Sequence, residues 1–194
     1  MKKFFALACM LFVSSAMFAQ MSIRAGIGLS TMTGKDADGI NNGFSYKVGM
    51  DYDYKVSEQF SVIPGIEFAN KGYKADDLDG QVNLFYLQVP IFAAYKMAIN
   101  ETMGLQLKAG PYLAYGLFGS DIEYKTSSGQ TVSKYNIWDS KTDNQRFAAG
   151  LILGVNLDLG EYLVGIEFSR ALTKFNKDAK QYGQAFGVTF GHRF

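Results

Sequence analysis

The sequence predicts an all-β fold, an eight-stranded antiparallel transmembrane up-and-down β-barrel, and three observations predict it. Bulky apolar residues alternate with small or polar ones through nearly the whole chain, which is the mark of strands with two unlike faces. The connections between the alternating stretches are short and long by turns. Glycines share a row with the charged residues, while the opposite row is aliphatic and aromatic.

The first 19 residues are set aside. Met1-Lys2-Lys3 is a positive start, FFALACMLFV an apolar stretch and SSAMFAQ a small-residue region, together the pattern of a secretory signal peptide. Cleavage is expected after Ala19, with Ala16 as the alternative, so residues 20–194 form the barrel domain. The single cysteine, Cys9, lies in the signal core, and Ala6-Leu7-Ala8 before it misplaces the leucine of a lipoprotein acceptor. The exported chain therefore has neither disulfides nor thiolate metal sites. A formal net charge of +1 argues against nucleic acid as a partner. No run of 18 apolar residues follows the signal, which excludes membrane-spanning helices.

Eight alternating stretches follow in order. Ile23, Ala25, Ile27 and Leu29 alternate with Ser22, Arg24, Gly26 and Gly28. In GFSYKVGMDYDYKV, Phe44 to Val56 set one row against Ser45, Lys47, Gly49, Asp51, Asp53 and Lys55. Phe60 to Phe68 form the third stretch and Phe85 to Met97 the fourth. Leu105 to Leu117, Phe147 to Leu157, Tyr162 to Phe168 and Phe186 to Phe194 complete the set. Short turns are predicted near residues 57–59, 98–102 and 160–161, and long polar loops at about 32–42, 70–82, 119–145 and 171–181. Turns sorted in this way are characteristic of membrane barrels.

The glycine row decides which face meets lipid. On a solvated surface Gly26, Gly49, Gly110, Gly154 and Gly187 would weaken strands to no purpose. Inside a narrow eight-stranded barrel small residues are required, because the interior barely holds side chains. The charged members of that row are then expected to pair in the lumen: Arg24, Lys47, Lys55, Lys96, Lys108 and Arg193 with Asp51, Asp53, Glu67, Asp158 and Glu167.

Four stretches carry a family likeness: PGIEFANKGYK at 64–74, YLQVPIFAAYK at 86–96, LKAGPYLAYGL at 107–117 and the ending FGVTFGHRF. In this order they resemble the porin-family outer-membrane β-barrel proteins of Gram-negative bacteria. The resemblance implies residence in the outer membrane, contact with its lipid and lipopolysaccharide, and a monomer. It also implies that Phe194, with Phe190, Val188 and Phe186, is the signal read by the barrel-assembly machinery. The prolines Pro64, Pro90 and Pro111 are expected at bulges or rims.

Chemistry is sparse. Asp36-Ala37-Asp38-Gly39 and Asp76-Asp77-Leu78-Asp79-Gly80 have the acidic spacing of a calcium loop, but position twelve falls on Lys47 and Leu87 instead of a carboxylate. They read as solvated turns; no metal or cofactor is expected. His192, the sole histidine, stands two residues from the end, so a Ser/His/Asp arrangement is not expected and the chain reads as a non-enzyme. An outer-membrane lipid-modifying enzyme is the weaker alternative. Two functions compete: a structural, adhesive or binding protein with a plugged interior, and a narrow channel for small solutes. The segment DIEYKTSSGQTVSKYNIW is expected to project as a hairpin around Ser128-Gly129 and to carry Tyr124, Tyr135, Ile137 and Trp138, which either pack on the barrel mouth or outer headgroups or form a binding patch for an extracellular ligand.

Overall fold

The computed structural model describes residues 20–76, 80–125, 131–138 and 143–194, with backbone alone for 121–125 and 131–135. Eleven strands follow in chain order: β1 (Met21–Thr33), β2 (Ile40–Tyr52), β3 (Tyr54–Lys55), β4 (Phe60–Ala75), β5 (Val82–Ala98), β6 (Gly104–Gly119), β7 (Asp121–Lys125), β8 (Thr131–Asn136), β9 (Phe147–Asp158), β10 (Tyr162–Ala171) and β11 (Tyr182–Arg193). Eight of them are the staves of the barrel, in the order β2-β1-β11-β10-β9-β6-β5-β4, and pairing of β2 with β4 closes the ring. All neighbours run antiparallel. β3 resumes the line of β2 after a break at Asp53. β7 and β8 form a separate hairpin, and its tip, Ser128-Gly129, lies outside the described residues, as do residues 1–19.

The wall has the reverse polarity of a soluble protein. Ile27, Leu153 and Val188 are each more than half exposed, whereas Glu67, Gln88 and Gln106 are almost fully buried. Aromatic residues gather at both ends of the outer face. At the short-turn end Phe60 lies 4.9 Å from Tyr95 and Tyr162 5.8 Å from Phe190, ring to ring. Toward the long loops Phe85 stacks on Phe68 and Phe118 at 5.7 and 4.5 Å.

The long loops are shorter than the sequence predicts, because β4 continues to Ala75 and β5 starts at Val82. Beyond the apolar belt the outward residues no longer need to be apolar, so the alternation fades while the hydrogen-bond ladder goes on. The prolines also find their reason. β4–β5 pairing skips from Pro64–Ile91 to Glu67–Gln88, leaving Pro90 in the gap. β5–β6 pairing skips from Pro90–Tyr112 to Ala93–Ala109, leaving Pro111 in the gap. Pro64 follows the last β2–β4 pair, Asp51–Gly65, beside the break at Asp53. Each missing N–H therefore falls where a ladder is already interrupted.

Candidate functional site

The lumen is the site that the fold constructs. The register sets charged residues beside glycines on neighbouring staves. Arg24 pairs across to Gly49 and Gly191, Gly49 to Glu67, and Gly154 to both Lys108 and Glu167. Long side chains can cross the axis only because their neighbours are small. At Gly154 an added Cβ would stand 2.8 Å from Lys108 Cε and 2.9 Å from Glu167 Cγ.

Two hubs result. Arg24 donates from Nη1 to Glu167 at 2.5 Å, meets Asp51 through Nε at 3.0 Å, and bonds Glu67 through Nη2. Glu167 in turn accepts from Lys108 at 3.0 Å and from Lys47 at 2.6 Å. Lys47 also lies 3.6 Å from Glu67. Phe92, fully buried, offers its ring to Arg24 and Lys108 at 5.3 and 4.7 Å. Around the hubs, Gln88 Nε2 donates to Glu67 at 3.3 Å and Asn156 Nδ2 to Gln106 at 2.8 Å. Buried charges persist only with such partners.

Separate pairs close the short-turn end. Lys96 bonds Asp53, and Arg193 reaches Asp158 with Nη1 and Nη2 at 3.3 and 2.9 Å. Lys55 belongs to neither pair nor to the central cluster. It is exposed, because the break at Asp53 ends the enclosed part of the second stave and Val56 already turns onto Phe60. Its expected lumenal place is corrected accordingly.

Toward the long loops the lumen becomes apolar. Trp138 meets Tyr86 and Phe175 edge-on at 5.7 and 5.8 Å, among Ile137, Leu84, Tyr112 and Ile152. The chain after β8 folds back into the mouth: Ile137 N–H donates to Ser120 O at 3.2 Å, and Asn144 donates to Ile137 O at 2.9 Å. The guanidinium of Arg146 lies 5.6 Å from the Trp138 ring. Ile137 and Trp138 are 1% and 6% exposed, so of the two readings the sequence offers they follow packing on the barrel mouth, as a plug, and are not part of a displayed patch. Burial of large apolar surface outweighs display once a cavity of matching shape stands beneath them. Tyr124 and Tyr135 lie on β7 and β8, where only the backbone is described.

Sequence reasoning missed Lys71, which points into the lumen from the part of β4 read as loop. Its Nζ donates to Gln88 at 2.9 Å and lies 4.5 and 5.5 Å from the rings of Tyr112 and Tyr86. The period Glu67, Ala69, Lys71, Tyr73 was the available signal. Small voids of about 50 and 30 Å³ lie beside Lys71, and one of about 20 Å³ lies on the short-turn side of the cluster, next to Arg24 and Asp53.

Phe186, Val188, Phe190 and Phe194 form an outward row, each more than half exposed. His192 stands in the same row at the short-turn end, 5.2 Å from Tyr162 and 5.1 Å from Phe194. It lies at the opposite end of the barrel from the long loops. Among the described residues no group of three or more His, Cys, Asp or Glu is placed to hold a metal ion.

The family described as outer membrane protein beta-barrel domain matches residues 13–177. Among solved structures, the chain is similar to Neisserial surface protein A (TM-score 0.57, 11% identity, covering 90% of this chain and 97% of that one). It is also similar to the outer membrane enzyme PagL (TM-score 0.57, 12% identity, 89% and 99% covered). Identities this low speak for the fold alone. No curated protein matches the sequence. A family match over most of the length, on a closed barrel with an apolar belt and a polar interior, shows that the chain belongs to the outer-membrane β-barrel family and resides in the outer membrane.

Proposed function

We propose that this protein is a non-conducting outer-membrane barrel that works through its extracellular end, in a structural, adhesive or binding role. One observation carries the reading: the lumen is occupied twice over, by the Arg24–Glu167 ionic cluster and by the Trp138 cap. A solute would have to separate buried ion pairs, and eight strands leave no bore around them. The β7–β8 hairpin beyond the cap is the element offered to a ligand, with the barrel as a monomeric support in lipid and lipopolysaccharide. The outward row ending in Phe194 supports recognition by the barrel-assembly machinery. A non-enzymatic role is supported by the position of the one histidine, far from the long loops and without a hydrogen-bond partner on Nδ1 among the described residues.

The test is conductance of the refolded protein in planar bilayers. Silence at moderate voltage is the expected result, both for the native chain and for a variant lacking residues 121–136. Stable steps of appreciable size in the native chain would favour the solute channel instead.

A further inference from the structure

The charges of the central lumen do not balance. Between the two neutral pairs at the short-turn end and the apolar cap, the described inward residues include four cations, Arg24, Lys47, Lys71 and Lys108, and three carboxylates, Asp51, Glu67 and Glu167. Lys71 is the cation that has no carboxylate within 4 Å among the described residues. Its link to the cluster is indirect: Gln88 accepts from Lys71 through Oε1 and donates to Glu67 through Nε2. An ammonium has three N–H donors. Gln88 takes one, and the faces of Tyr86 and Tyr112 attract the charge without supplying a strong acceptor.

On the cap side of Lys71 lies a cavity of about 30 Å³. Its lining includes Lys71, Tyr86, Tyr112, Thr173, Lys174 and Phe175. Two lysines line it and no aspartate or glutamate does, among the described residues. A water requires roughly 10–15 Å³ measured this way, so the space suits one ion of halide size. Like charges around a low-dielectric recess focus a field that concentrates ions of opposite sign.

We propose that this cavity binds one small monovalent anion of halide size, held by the Lys71 ammonium and entering from the extracellular mouth past Lys174. The anion supplies the missing negative charge and takes N–H donors that the protein leaves unused. Such a site accounts for a half-buried lysine set beside two tyrosine rings in place of a neutral residue.

The sole tryptophan is a built-in reporter, since Trp138 touches both Tyr86 and Phe175 of the cavity wall. The full-length mature protein, refolded in detergent, is titrated with sodium bromide against sodium gluconate at constant ionic strength. Bromide should quench Trp138 along a saturating curve in the native protein and in K71R, and K71M should lose the saturating part while still migrating as a folded, heat-modifiable barrel. Bromide-soaked crystals should show one anomalous peak within hydrogen-bond distance of Lys71 Nζ. Linear quenching in the native protein, or a saturating curve unchanged in K71M, overturns the proposal. If K71M does not refold, the shape of the native curve and the anomalous map decide.

Discussion

Arg24 on β1 and Glu167 on β10 meet inside the lumen at 2.5 Å, over the one stave, β11, that separates their strands, although they are 143 residues apart in the chain. Each is the hub for the other's sign of charge. Arg24 gathers three carboxylates, and Glu167 gathers Arg24, Lys108 and Lys47. Staves far apart in sequence are thereby tied through the interior as well as through the wall.

Removing the arginine hub should be severe. Arg24→Leu leaves Asp51, Glu67 and Glu167 crowded and without their shared cation, and losing one partner of a buried ion pair costs about 3–5 kcal/mol. Urea unfolding of the refolded barrel should show a loss of that size. Adding Glu67→Gln to Arg24→Leu should recover part of it. Equal midpoints for Arg24→Leu and the native protein would mean that the cluster contributes nothing to stability.

Gly116 and Trp138 are coupled by contact. A Cβ at Gly116 would stand 2.5 Å from Cζ2 of the indole and 2.8 Å from Cη2. Gly116→Ala should therefore push Trp138 out of the mouth. Because the chain has one tryptophan, a red shift of its emission reads this directly. Unchanged emission would show that the cap can repack around a methyl group.

The outer wall should tolerate charge poorly at mid-height. Leu153 faces outward, more than half exposed, and pairs with Ala109 and Phe168. Leu153→Arg should lower the folding free energy in lipid vesicles by about 2–4 kcal/mol, as cations do at the bilayer midplane. Lys55→Leu, at an exposed position outside the lumen, should change it little. Equal effects at the two sites would argue against the apolar belt.

Much of this molecule was legible along the chain. Residue parity told which side chains face lipid and which face the lumen, since a strand has a period of two and each face here has one chemistry. Glu67, Lys108 and Glu167 could thus be named as interior charges before any pairing was known. Lys55 went astray because parity says nothing about where a stave ends. Lys71 was missed because the apolar alternation that marks a strand stops at the edge of the belt, while the strand itself runs on to Ala75.

The sequence by itself determined the class of fold, the lipid-facing row and the presence of charge inside, because these follow from local alternation and from glycine among the charges. Only the tertiary structure decided which charges meet. Register, set by closure of the ring, brings Arg24 to the height of Glu167 and leaves Lys71 at a different level, beside two tyrosines. It likewise decided between the two places open to Ile137 and Trp138, a displayed patch and the barrel mouth, since only the closed barrel presents the apolar mouth that can bury them.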